Sequence, residues 1–147
     1  MTMEKRKLAD TREGLVHKFK VGKAKGYVRI GLFEDGRPGE VFVNMNSSTD
    51  AGVWGCIGIL ISQLLQRGAP LRDIVRKLAY TRFEPLGVTS SKIKHSQRGA
   101  GNLGMASSIM DYIVRWMWEV YGDGTNFMDA GDLPVEETFI DSESSEV

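Results

Sequence analysis

Apolar and polar positions alternate with a period of two over residues 15 to 21, LVHKFKV, where Leu15, His17, Phe19 and Val21 oppose Val16, Lys18 and Lys20. Two further strand-like runs follow, GYVRIGLF at 26 to 33 and EVFVNM at 40 to 45. The links between them, GKAKG and EDGRPG, carry the glycine and Asp-Gly chemistry of hairpin turns. The pattern predicts a three-stranded antiparallel meander, or one slightly larger.

After NSSTD the period changes to that of a helix. Asp50 or Thr49 can cap AGVWGCIGILISQLLQR, in which Val53, Trp54, Ile57, Leu60, Ile61, Leu64 and Leu65 form a broad apolar face. Gly68 suits the C-terminal cap and Pro70 the first turn of the next helix, PLRDIVRKLAY. There Leu71, Ile74, Val75 and Leu78 point inward, and Arg72, Asp73, Arg76 and Lys77 outward. Gly52, Gly55 and Gly58 leave a stripe nearly bare of side chains, suited to close approach within the fold or by a second subunit. The last helix is read as MASSIMDYIVRWMWEVYG, starting at Met105 and burying Ile109, Tyr112, Ile113, Trp116 and Val120. Asp111, Arg115 and Glu119 form its polar stripe, with i,i+4 pairs worth a few tenths of a kcal/mol each at a surface, on the order of 0.2–0.5. Trp118 lies about 200° from Trp116, an exposed position that predicts a subunit contact and a homo-oligomer. The expected fold is α+β, the meander packed against two to three helices.

Composition sharpens this picture in two places. At 147 residues and 41% hydrophobic, the chain fits one soluble domain without a membrane-crossing run. Its start, MTMEKRKLAD, lacks the apolar core of a secretory signal, so a cytoplasmic protein is expected. The formal charge of zero conceals an asymmetry. Residues 122–147 hold eight acidic side chains and no lysine or arginine, leaving 19 basic against 11 acidic residues before them, a balance of +8. The chain therefore divides into a basic segment at 1–13, a domain at 14–121 and an acidic, flexible tail at 122–147. A basic body favours anionic partners.

Candidate chemistry gathers in two loops. KIKHSQRGAGNLG, residues 92 to 104, sets Lys92, Lys94 and Arg98 before Gly99, Gly101, Asn102 and Gly104, in the spacing G-x-G-x-x-G. Glycines let backbone N–H groups approach a phosphate, and a helix start favours negative charge. The strand before it and the βαβ unit around it that a dinucleotide fingerprint needs are missing, so the reading is a simple anion loop or a flexible basic loop. The second loop, TRFEP, places Arg82 and Glu84 around Phe83 and ends at Pro85. Arg82 and Glu84 can pair with Asp111 and Arg115, with Phe83 anchored in the core. Alternatively Arg82 is a planar donor fork for a phosphate, with Phe83 or Tyr80 stacked on a base. His17 and His95 have no ligand cluster around them, no nucleophile elbow is visible, and Cys56 reads as a small buried hydrophobe. No metal, cofactor or catalytic set is expected.

Three ordered stretches, GLVHKFKVGKAKGYVRIGLFEDGRPGEVFVNM, LLQRGAPLRDIVRKLAYTRFEPLGVT and MASSIMDYIVRW, resemble the C-terminal region of adenosylcobalamin-dependent (class II) ribonucleotide reductases, the TSCPD domain. The resemblance covers about residues 14 to 118, and TRFEP with SIMDYIVRW is its most specific part. It implies an appended domain without the chemistry. The family's catalytic barrel and cysteine-rich tail have no counterpart here, so no catalytic residue carries over. SSKIKHSQRGAGNLG is longer than the family's link between these motifs, so its glycines inherit no role. The expectation is a non-catalytic protein that binds a nucleotide or nucleotide-like anion, accessory or regulatory to a reductase subunit. The alternative is a phage-type sequestering protein that holds a nucleotide second messenger without cleaving it. Nucleic-acid binding ranks last, because the basic residues are scattered over strands and loops.

Overall fold

Strand β1 (Gly14–Val21) turns through Gly22 and Lys23 into β2 (Ala24–Leu32), which turns again into β3 (Pro38–Met45). The sheet is antiparallel in the order β1-β2-β3, with Val21 opposite Ala24 and Val28 opposite Val43. Gly22 occupies the left-handed region at φ 60°, which a two-residue hairpin turn demands. The structure is a computed structural model, and it describes residues 4–46, 50–90 and 103–129.

Helix α1 (Ala51–Gln66) does not lie flat across the sheet. It runs along β3, and Ser62 meets Val41 twice, its Oγ accepting from the Val41 amide at 2.8 Å and donating to the Val41 carbonyl at 3.2 Å. Gln66 Nε2 donates to the Gly39 carbonyl at 2.9 Å. The helix thus satisfies polar groups that an edge strand otherwise presents to solvent. Gly58 permits the approach, since a Cβ there would stand 2.7 Å from the Val41 carbonyl oxygen. Of the predicted glycine stripe only this member is used for packing. Gly52 and Gly55 face open space.

Because α1 covers an edge, its buried face is narrower than the apolar pattern predicts. Trp54, Ile61 and Leu65 are buried, while Val53, Ile59 and Leu60 are exposed. Cys56, expected inside, is also exposed. Helix α2 (Leu71–Leu78) follows after Gly68 and Pro70 and packs Ile74 and Val75 inward. Arg72, expected outward, is buried: it meets Asp123 at 3.3 Å, bonds Thr125 and lies over the Trp118 ring.

Helix α3 (Ile109–Tyr121) is the centre of the molecule, and every residue from Ile109 to Trp118 is buried. Sheet side chains stack on it, Phe19 against Tyr112 and His17 against Trp116. Trp118, expected at a subunit contact, is instead 3% exposed. Its Nε1 donates to the Thr125 carbonyl at 2.9 Å, and its ring meets the edge of Phe127, so residues 123–129 wrap the face predicted to be bare. The α+β expectation holds, with a small second sheet, β4 (Gly87–Val88) antiparallel to β5 (Met105–Ala106). Among the described residues no helix is long and apolar enough to cross a membrane.

Candidate functional site

The last helix begins at Ile109 and not at Met105, because Ser108 caps it. The Ser108 Oγ accepts from the Asp111 amide at 3.0 Å, and residues 105–106 are already committed to β5. Three residues past the cap, the Asp111 carboxylate turns back and accepts from the Ser107 amide at 2.8 Å, a relative of the capping box reaching one residue further. A negative charge at this end also complements the helix dipole.

Asp111 is the hub of the loop before it. Oδ1 accepts from the Tyr80 amide at 2.6 Å and from Arg115 Nε at 2.8 Å, while Oδ2 accepts from Arg115 Nη2 at 2.9 Å. Both side chains are almost wholly buried. Arg115 Nη2 also donates to the Met105 carbonyl at 2.8 Å, and its guanidinium lies 5.1 Å from the Tyr80 ring centroid. This is not the exposed i,i+4 pair expected from spacing. A buried bidentate pair with further hydrogen bonds at both ends is costly to break from one side.

The hub holds an unusual backbone. Tyr80 has φ 64°, the left-handed region that side chains other than glycine seldom adopt. The hydrogen bond its amide donates to Asp111 and its ring contacts with Arg115 and Phe127 keep it there. Beyond it, the Ser108 Oγ donates to the Thr81 carbonyl at 2.7 Å, and the Phe83 amide donates to the Ser107 carbonyl at 3.1 Å. The chain passes through a cis Glu84–Pro85 bond into β4.

The loop is therefore pinned by its backbone. Arg82 and Glu84 make no ion pair with Asp111 or Arg115, contrary to the structural expectation, because those two are already engaged by each other, Asp111 also by the Tyr80 and Ser107 amides and Arg115 by the Met105 carbonyl. Both side chains are exposed. Phe83 is no core anchor either. It is 43% exposed and rests one face near Trp54 of α1, centroids 6.4 Å apart.

The predicted second half of the site is only partly visible. Lys92, Lys94, Arg98, Gly101 and Asn102 lie outside the described residues. Gly104 is described, and its carbonyl accepts from the Thr89 amide at 2.9 Å, beside the bond from Thr89 Oγ1 to the Leu103 carbonyl. No helix starts at Gly104 or Met105, and the dipolar end at Ser108 is occupied by Asp111. The expected contribution of a helix terminus to anion binding is thus absent from this site.

Sequence reasoning missed the hub and Tyr80. One signal was present: IVRWMWEVY is apolar nearly all round, the signature of a helix buried on every side, which places Asp111 and Arg115 inside with it. Elsewhere, His17 Nε2 lies 2.8 Å from the Tyr112 hydroxyl and its ring is 4.4 Å from Trp116. Burial lowers the His17 pKa below its ordinary value. Among the described residues no group of three or more His, Cys, Asp or Glu side chains is placed to hold a metal ion.

Comparison with known proteins sets this architecture in a family. The model of the TSCPD domain matches residues 3–121. A vitamin B12-dependent ribonucleotide reductase of Rhodopirellula baltica is 40% identical over 123 residues, 82% of this chain but 11% of the relative. Proteins of the same description from Agrobacterium fabrum and Streptantibioticus cattleyicolor are 36% and 37% identical, over 78% and 76% of this chain. The chain spans 9% of the former and 17% of the latter. No solved structure matches the chain.

Proposed function

This chain belongs to the TSCPD domain family, and from that premise we propose that it is a non-catalytic accessory domain that binds a nucleotide or nucleotide-like anion at the loop carrying Arg82, Phe83 and Glu84. One observation carries the reading. The loop is held by backbone hydrogen bonds and a buried ion pair, while three consecutive side chains of different chemistry stay exposed. A guanidinium suits phosphate oxygens, a half-exposed ring suits a base, and a carboxylate suits hydroxyl or amino groups. Fixing the backbone beforehand lowers the ordering cost of binding. The relatives are described as reductases of ribonucleotides, so a nucleotide is the ligand class tested first.

The test is calorimetry against mono-, di- and cyclic nucleotides, comparing the parent with Arg82→Ala and with Lys23→Ala, a turn-located charge control. Loss of a charge-assisted hydrogen bond worth about 1.5–3 kcal/mol weakens binding roughly tenfold or more. Lys23→Ala leaves affinity unchanged. If Arg82→Ala melts like the parent and binds every nucleotide equally well, the loop is not the site. A reductase subunit retained on the immobilised protein supports the accessory role. Unmodified nucleotide released on heating, with no such subunit retained, assigns the chain to sequestration instead.

A further inference from the structure

A cleft of about 560 Å³ opens at the other end of α1 from the loop. Trp54, on which Phe83 rests, and Leu65, which lines the cleft, are eleven residues apart on that helix, about 16 Å along its axis. The cleft is thus a separate place on the molecule. Its volume falls within the range of about 300–1,000 Å³ typical of small-molecule sites.

Its walls divide by chemistry. Phe33, Pro38 and Leu65 are buried and apolar, and Leu71 adds to them. Lys5, Arg6, Arg37 and Arg67 supply four cations from three separate segments, against Glu4 in the lining and Asp35 just behind it. Four positive and two negative charges leave a balance of +2. Asp35 does not cancel the site so much as orient it. It holds Arg6 Nη1 at 3.0 Å and Arg37 Nη2 at 3.1 Å, and its own pKa is lowered to about 2, first by the Arg37 amide and then by the two guanidinium groups. The Arg6 guanidinium is further fixed 4.0 Å over the Phe33 ring, and its amide donates to the Gln66 carbonyl at 2.7 Å.

Two more observations point the same way. Pro70 and Leu71, at the start of α2, line the cleft, and no side chain caps that helix terminus. Tyr121, also in the wall, has a hydroxyl that is buried without a hydrogen-bond partner. Native structures seldom leave such a group unsatisfied, and burial raises its pKa, so the phenol keeps its proton as a donor.

We propose that this cleft is a second anion site, taking a small molecule that joins a phosphate group to an apolar or aromatic body. The cationic rim at Lys5 and Arg37 receives the phosphates, and the Phe33–Leu65 floor receives the body. Arg6 and Tyr121 stand between the two halves as positioned donors. The loop reading above neither requires this site nor is required by it.

The probe is ADP, titrated calorimetrically into the full chain, with pyrophosphate and adenosine as partial ligands. ADP is expected to bind more tightly than either half. Lys5→Gln combined with Arg37→Gln alters only exposed side chains and weakens ADP about tenfold or more. Tyr121→Phe removes one oxygen and weakens ADP severalfold without lowering the melting temperature, a pattern that a purely structural hydroxyl does not give. Arg82→Ala leaves the cleft affinity as it was. Absence of ADP binding at millimolar concentration overturns the proposal. So does equal ADP affinity in the parent and the double variant, or pyrophosphate binding as tightly as ADP. Failure of the loop reading shows separately, as Arg82→Ala binding all nucleotides like the parent.

Discussion

Asp111 and Arg115 face each other across one turn of α3, joined by two bonds of 2.8 and 2.9 Å in a setting nearly free of solvent. Each then reaches away from the helix, Asp111 to the amides of Tyr80 and Ser107, Arg115 to the carbonyl of Met105. One ion pair therefore ties the segment after α2 and the strand before α3 to the central helix. Substituting Asp111→Ala leaves a buried guanidinium and two amides uncompensated, and is expected to cost about 3–5 kcal/mol by urea denaturation. Asp111→Leu with Arg115→Met recovers only part of that, because the Tyr80 and Ser107 amides remain without an acceptor. Full recovery would show that the backbone bonds contribute nothing.

Position 80 offers a more local check. Tyr80→Gly relaxes the left-handed backbone but removes the ring that sits on Arg115 and near Phe127. Since Tyr80 is about half exposed, the two effects nearly offset, and a stability change within about 1 kcal/mol is expected. A larger loss would mean that the ring contacts matter more than the relief of backbone strain.

The glycines of α1 give a matched pair. Gly55→Ala meets open space and gains helix propensity, so it stabilises by about 0.5–1 kcal/mol. Gly58→Ala brings a Cβ to 2.7 Å from the Val41 carbonyl and forces helix and strand apart, at a cost of about 1–3 kcal/mol. Thermal melts of the two variants should move in opposite directions. Movement in the same direction contradicts the packing of α1 on β3.

His17 predicts a pH dependence. Burial lowers its pKa from the ordinary 6.5, so the folded state prefers the neutral ring. The stabilisation it provides is present above pH 6.5 and declines as the pH falls toward the lower folded value, because the unfolded chain takes up a proton first. Melting temperature should fall below about pH 6.5 in the parent, and His17→Phe should remove that component. An identical acid profile in the variant would assign the loss to other groups.

Two residues whose burial is the reverse of what helical spacing predicts, Trp118 inside and Leu60 outside, can be checked by substitution. Trp118→Ala opens a cavity beside Phe127 and Arg72 and is expected to cost about 3–5 kcal/mol. Leu60→Gln, on the exposed side of α1, is expected to stay within about 0.5 kcal/mol of the parent. A small effect at Trp118 would restore the exposed position that helical spacing alone suggests.

Local pattern was a good guide wherever one face decides burial. The alternation of His17, Phe19 and Val21 against Lys18 and Lys20 survives in β1, with Leu15 of the same face exposed at the start of the strand, and the limits of α1 agree within a residue. Pattern failed where distant segments decide. The spacing of Asp111 and Arg115 is the same in a surface pair and a buried one, and only the chain around Tyr80 and Phe83, some thirty residues earlier, closes over it. Trp118 is covered by residues that follow the helix, and Cys56 is left bare because α1 flanks a strand instead of lying across the sheet. Of the candidate site, Arg82, Phe83 and Glu84 are exposed as a ligand loop requires, but the reason is backbone anchoring that no side-chain pattern announces. The cleft at the end of α1 draws its cations from residues 5, 6, 37 and 67, which no single motif contains.

The arrangement of Ser62 and Gln66 against β3 bears on how such a domain travels. A sheet border with idle amides and carbonyls invites another polypeptide to zip onto it, and crowded or freshly made chains clump by that route. Here the cover is supplied from within the same hundred-odd residues, by a helix that follows the strand directly. The protection is therefore inherited with the domain and does not depend on a neighbour, whether it is joined to a polypeptide many times its length or expressed by itself.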